Sequence, residues 1–230
     1  TAVRLLILLL LHLAALHLVR ALIEQLAIPV YPWYAWLLWL YLAKASFFER
    51  KILDFYSAAK WLKLSDPGAY TVDAVGYPPL PSIFPLWAVL SYGEWSDTLV
   101  NLAGLLCGIA LGLADYGQCR RVGAGRADGV VVVYLLYATP LVGTHLATPG
   151  YADLWLSGFA GLGFVALLQW TQSRDKSQLM LGLLFLVLGV MIKREGIIWA
   201  LVGMLFVMVH LLPWKLLLVA AAGMVLAIVA

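Results

Sequence analysis

The chain has 230 residues, of which 64% are apolar and only 12% charged, with a mean hydropathy of +0.95. A soluble domain carries about twice that charge fraction, so water is excluded as the main solvent and an integral, multi-spanning α-helical membrane protein is expected. Fifteen basic and twelve acidic side chains give a formal charge of +3 without a dense basic face, which excludes nucleic acid as a partner.

A spanning helix needs about 20 mostly apolar residues, with its backbone groups bonded inside the helix. The first such run covers about 5–29. Within it Arg20 and Glu24 stand four residues apart and are expected to neutralise each other against protein. His12 and His17, five apart, fall on different sides of the helix. With His145 and His210 equally scattered, no metal site is indicated.

The long connection 31–97 follows, and it reads as three pieces on the outer face rather than as a crossing. The stretch 33–48 is apolar and rich in tryptophan. Next, Phe48, Ile52, Phe55, Tyr56, Ala59 and Leu62 recur at helical spacing opposite Glu49, Lys51, Asp54, Lys60 and Lys63, which predicts an amphipathic helix ended by Asp66-Pro67-Gly68. The proline-rich segment 77–92, with Phe84, Trp87 and Tyr92 suited to the headgroup level, is expected to lie on the membrane as a second in-plane helix.

Six further runs are read as spans, at about 98–116, 130–147, 154–170, 179–192, 197–212 and 216–230. In the 154–170 run, Gly158, Gly161 and Gly163 are expected to let a neighbouring helix approach closely. Cys107 lies in an apolar run and Cys119 beside Arg120 and Arg121, at depths that do not suggest a bridge. No Cys/His spacing points to zinc. Because the chain begins and stops inside apolar runs, it is expected to be a fragment of a longer protein.

Positive charge in short loops stays on the cytoplasmic side. Arg4, the loop of Arg120, Arg121 and Arg126, the loop of Arg174 and Lys176, and Lys215 then share that side, provided 77–92 does not cross. If it crosses, everything after it inverts. The long connection and the turns 149–153 and 193–196 face the opposite side, where Lys193 and Arg194 run against the charge rule.

Candidate chemistry collects on that outer face. Asp153 precedes an apolar run, so it either caps a helix or serves catalysis and donor binding. Lys193, Arg194 and Glu195 read as a cation pair gripping a phosphate with Glu195 orienting it, against snorkelling side chains in a tight turn. Lys44 either snorkels or joins the site, and Asp73 is a turn residue or a second carboxylate.

Four segments together resemble the polytopic GT-C glycosyltransferases, especially the bacterial relatives of protein mannosyltransferases and aminoarabinose transferases. Trp33-Tyr34-Ala35-Trp36-Leu37-Leu38-Trp39 with Ala43-Lys44 is similar to the aromatic segment after that family's first span. Tyr77-Pro78-Pro79-Leu80-Pro81 resembles its proline-rich juxtamembrane helix. Gly150-Tyr151-Ala152-Asp153-Leu154 resembles its second outer loop, and Lys193-Arg194-Glu195-Gly196 its Lys-x-Glu-Gly turn. The likeness covers residues 1 to about 210, the amino-terminal half of a typical member.

The resemblance implies an all-α, GT-C-like bundle in a bacterial inner membrane that moves a sugar from a polyprenyl-phosphate carrier to an acceptor on the outer face. Asp153 and Asp73 would be the catalytic carboxylates, with Lys193, Arg194, Glu195 and Lys44 holding the donor. The partners implied are membrane lipids, the lipid-linked sugar and other membrane subunits; no cofactor is implied beyond the donor. Two positions depart from the family: Tyr34 stands where an Asp is usual, and Val75-Gly76 where an acidic or histidine residue is usual. A tyrosine of pKa about 10 is a poor base at neutral pH, so the alternative reading is a catalytically inactive subunit that scaffolds a larger assembly.

Overall fold

The computed structural model describes residues 2–30, 35–65, 68–72, 75–148 and 150–213, the Trp36 side chain excepted. The seventh expected span at 216–230, Lys215, Tyr34 and Asp73 lie outside the described residues. Among the described residues the protein is all-α apart from one two-residue strand pair. Its helices are α1 (Ala2–Ala27), α2 (Leu40–Glu49, entered through a π-helical turn Ala35–Trp39), α3 (Ala58–Trp61), α4 (Leu80–Tyr92), α5 (Asp97–Arg121), α6 (Arg126–Ala138), α7 (Pro140–Ala147), α8 (Asp153–Ser173), α9 (Lys176–Ile192) and α10 (Gly196–Leu211).

Helices α1, α5 and α8 are long and apolar enough to cross a membrane, which marks the chain as an integral membrane protein. At about 1.5 Å per residue they are roughly 39, 37 and 31 Å long, matched to a hydrocarbon core of about 30 Å. Helices α9 and α10 are apolar but shorter, at 17 and 16 residues.

The expected third span is a bent pair. α6 and α7 meet at 65° across Thr139 and Pro140, because a proline has no N–H for the ladder and clashes with the preceding turn. Thr139 is extended (φ −68°, ψ 119°), as the residue before a proline favours.

The amphipathic helix expected over 48–62 does not form. α2 stops at Glu49 with Arg50 in the left-handed region (φ 55°), its guanidinium 4.9 Å from the Phe47 ring centroid. Phe55 and Tyr56 are instead extended and pair in parallel with Tyr70 and Thr71. The Thr71 hydroxyl donates to Tyr56 O at 3.0 Å, and Phe55 packs edge-on against Tyr41 at 5.7 Å. Ring packing and non-local backbone bonds outweigh the helical spacing, and Ile52 and Leu62 are left 85% and 76% exposed. The proline-rich segment does form a helix, α4, with Pro79 as its cap and Pro81 in its first turn, where a missing N–H costs nothing.

Two ends of the bundle are defined by cross-helix contacts. Arg121 bonds Asp175, which also caps α9 by accepting from Ser177 N at 2.9 Å. Bonds from the Ser177 hydroxyl and backbone and from Arg121 hold the Asp175 carboxyl below the usual range. At the other end, Gln25 Nε2 donates to Leu146 O at 2.5 Å and Asn101 Nδ2 to Ile28 O at 3.2 Å, tying the end of α1 to α7 and α5. Arg4, Arg120, Arg126, Arg174 and Lys176 thereby collect at the Arg121 end, and the turns before α5, α8 and α10 at the other.

α8 is the central helix and packs most closely on α9. A Cβ at Gly182 would lie 2.8 Å from Leu167 Cγ and 3.0 Å from the Gly163 carbonyl oxygen. Gly158 faces Leu111 of α5, but Gly161 faces open space and is no packing residue. The same substitution therefore has opposite effects at two glycines. Gly182→Ala should destabilise the protein by about 1–3 kcal/mol through overpacking, whereas Gly161→Ala should be neutral or stabilising by up to about 1 kcal/mol through helix propensity. Thermal unfolding in detergent measures both, and equal losses would contradict the packing described.

Candidate functional site

The α8–α9 hairpin reverses through Arg174 and Asp175, so the start of α8 and the end of α9 reach the same end of the bundle. The chain then turns at 193–196 into α10, with Gly196 N donating to Lys193 O at 2.8 Å. Only glycine fits at 196, since a Cβ there would lie 2.1 Å from Gly189 O and 2.7 Å from Val190 N, both backbone atoms.

That turn aims its side chains at two segments distant in sequence. Lys193 Nζ donates to Asp153 Oδ1 at 2.7 Å and lies 3.9 Å from Glu195 Oε1. The Tyr77 hydroxyl donates to Glu195 Oε1 at 3.4 Å. Arg194 leaves this cluster: its Nε donates to Gly76 O at 3.0 Å, its Nη2 to Val75 O at 2.7 Å, and its guanidinium stands 5.3 Å from the Tyr77 ring centroid. Gly76 takes φ +92°, and a Cβ there would sit 2.2 Å from Arg194 Nη2. The chain before α4 can thus receive the arginine only with glycine at 76.

Beneath the polar groups, Trp39 packs edge-on against Tyr77 at 5.6 Å, with Leu38, Ala152, Leu156 and Ile192 forming the buried floor. The four charges of Lys193, Arg194, Asp153 and Glu195 cancel formally. Lys193 is the most sheltered of the pair, its side chain 20% exposed against 49% for Asp153. Partial burial alone would lower the lysine pKa; the Asp153 hydrogen bond and the charges of Asp153 and Glu195 outweigh it and raise the value.

Asp153 opens the first turn of α8, where its charge complements the helix dipole, but its side chain bonds Lys193 and makes no cap hydrogen bond. It also lines a cavity of about 460 Å³ with His145, Ser157, Phe164 and Trp199. Lys44 does not share that cavity. It lies 5.4 Å from the Trp95 ring centroid in a separate cavity of about 350 Å³ with Tyr41 and Asp97. The expected meeting of Lys44 with Asp153 is therefore corrected, because α2 carries Lys44 toward the turn before α5 rather than toward α8. Asp73 lies outside the described residues.

Sequence reading missed Tyr77 as a partner of Glu195 and the carbonyls of Val75 and Gly76 as the seat of Arg194. A glycine before an aromatic-proline pair signals a positive-φ turn, but nothing local names an arginine 118 residues away. A third cavity, about 590 Å³ and almost wholly apolar, runs along α5 from Leu99 to Ala114, and Phe84, stacked on Trp155 at 5.1 Å, lines it as well. Among the described residues, no group of three or more His, Cys, Asp or Glu side chains is placed to hold a metal ion.

Comparison with protein-family models, with curated proteins and with solved structures finds no match to this chain.

A half-exposed carboxylate bonded to a sheltered lysine is expected to contribute modestly. A double-mutant cycle of Asp153→Asn and Lys193→Met should give a coupling of about 0.5–1 kcal/mol at neutral pH. Lysine's folded pKa is raised, so this contribution is complete below the unfolded lysine value of about 10.4 and falls as pH rises through the folded value. A coupling near zero at pH 7, or one unchanged well above the folded value, would contradict the geometry.

Proposed function

We propose that the chain is a multi-pass inner-membrane glycosyltransferase of the GT-C type. It takes a sugar from a polyprenyl-phosphate carrier and passes it to an acceptor on the extracytoplasmic face. One observation carries the reading: three of the four segments that resemble this family meet in one polar cluster through Tyr77, Asp153, Lys193 and Glu195, although up to 118 residues separate them. The side follows from charge, since the opposite end holds Arg4, Arg120, Arg121, Arg126, Arg174 and Lys176.

The Lys193–Asp153 pair holds a base and a cation in mutual check. An arriving donor phosphate competes for the lysine and frees the carboxylate. Asp153 then accepts the proton of the acceptor hydroxyl as the acceptor oxygen bonds the sugar's anomeric carbon. The bond from that carbon to the phosphate oxygen breaks, its electron pair leaves on polyprenyl phosphate, and Lys193 stabilises the added charge. Glu195 and Tyr77 keep the lysine in place, and Arg194 anchors the loop before α4 as a positioning residue. The apolar cavity along α5 is suited to the carrier's hydrocarbon tail.

The cancelled charges also favour a second reading, in which the cluster is a latch in a non-catalytic subunit that scaffolds a larger complex. Transfer measured with a polyprenyl-phosphate sugar separates the two. As a general base, Asp153 gives about 10²–10⁴-fold in rate, so Asp153→Asn should lose that much while remaining folded. Unchanged transfer by that variant would leave only the latch.

A further inference from the structure

The polar groups of α1 belong to a different place in the fold. His17, Arg20 and Glu24 fall at i, i+3 and i+7, so they form one stripe along α1. This stripe is one wall of a cleft of about 460 Å³, and the bent α6–α7 pair is the other. On that facing wall are Thr139, Thr144 and Thr148. Each threonine hydroxyl donates to a backbone carbonyl four residues back, at 2.8, 2.9 and 2.7 Å, so its lone pairs remain as acceptors. Arg20 gives only its Nε to Glu24 Oε1, at 2.9 Å, and its side chain is 75% exposed. Among the described residues its terminal nitrogens have no protein partner. Glu24 keeps Oε2 as an acceptor and is 30% exposed.

The cleft therefore offers cationic N–H donors at one level and a carboxylate with hydroxyl acceptors at another. The levels follow from α1. Glu24 lies about 4–5 Å, and Arg20 about 10 Å, below the end of the helix at Ala27. The bond from Gln25 to Leu146 sets Thr144 and Thr148 beside the Glu24 turn, with Thr139 deeper. Seen from the membrane interior outward, the order is Arg20, with Thr139 on its side of the cleft, and then Glu24 with Thr144 and Thr148. That is the order of a phosphate followed by a primary ammonium in the headgroup of an aminophospholipid lying in the same leaflet. A broken helix is tolerated at membrane depth where it lines such a polar cavity, and ionisable groups inside a span point to a ligand or relay.

We infer that the cleft between α1 and the α6–α7 bend is a binding site for the phosphoethanolamine headgroup of a membrane lipid. Arg20 takes the phosphate, and Glu24 with the threonine hydroxyls takes the ammonium. The site is independent of the Asp153 cluster and of any transfer activity. A quaternary ammonium has no N–H for these acceptors, so phosphatidylcholine is rejected; phosphatidylglycerol lacks the cation and leaves Glu24 with Arg20 as its charged partner.

The test is native mass spectrometry of the full chain in detergent, titrated with phosphatidylethanolamine, phosphatidylcholine or phosphatidylglycerol of the same acyl chains. Phosphatidylethanolamine should bind as one lipid per chain, at least about tenfold more tightly than either other lipid. Two variants locate the site. The paired change Arg20→Gln with Glu24→Gln removes both charges together. Gly143→Leu fills the cleft without touching a charge, because Gly143 lines it and has nothing within 4 Å of a Cβ. Each should lower the affinity at least about tenfold, with unfolding temperatures checking that the variants fold. Soluble phosphoethanolamine should displace the lipid, and if it alone binds, the ligand is the free headgroup rather than the lipid. Equal binding of the three lipids, or binding untouched by Gly143→Leu, would overturn the proposal.

Discussion

The close approach of α8 to α9 is the constraint on which the rest of the molecule depends. In lipid there is no hydrophobic drive between helices, so association relies on van der Waals packing at small residues. Gly163 and Gly182 supply it, each placing its Cβ-less face against the other helix's backbone. An antiparallel hairpin of this kind returns the end of α9 to the beginning of α8, which brings Lys193 to Asp153 across 40 residues of sequence. α10 then packs back on the same pair, with Gly203 against Leu186. The polar cluster is thus a consequence of apolar packing below it.

The remaining helices are fastened by a few polar bonds, at positions where water cannot compete. Gln25 and Asn101 are 1% and 2% exposed, and their side-chain N–H groups reach the carbonyls of Leu146 and Ile28. A buried amide left without a partner costs about 1–3 kcal/mol, so these two residues specify which end of α1 meets α5 and α7. The opposite end is fastened by Arg121 and Asp175, charges that stand where a polar boundary can solvate them. Between the two ends nearly all exposed side chains on α1, α9 and α10 are apolar, as a lipid-facing surface requires.

The polar groups at the Asp153 cluster and those along α1 differ in how their charges are compensated. At the Asp153 end, Lys193 is met by two carboxylates, and a glycine at 76 lets backbone carbonyls serve Arg194. Along α1, the Arg20–Glu24 pair is compensated only in part, against a wall of threonines exposed by a proline bend. The first arrangement suits chemistry that begins by exchanging one partner for another. The second suits a ligand that carries both charges itself.

Much of this was legible in the sequence. The apolar runs located α1, α5 and α8, and the proline cluster located α4, because composition and φ restriction act locally. The arginines and lysine in the short loops of one end were equally plain from loop composition, with Lys193 and Arg194 standing against them at the other. The residues Lys193, Arg194, Glu195 and Asp153 also stood out, as ionisable side chains at the ends of apolar helices. What only the tertiary structure decided is which of these meet. Helical spacing over 48–62 lost to pairing of Phe55 and Tyr56 with a strand 15 residues away, and Lys44 went to Trp95 rather than to Asp153. The bend at Pro140 turned an expected span into the wall of a cleft. Periodicity and composition are sums over neighbours in the chain, whereas a partner is chosen by the geometry of packed helices, which no local pattern encodes.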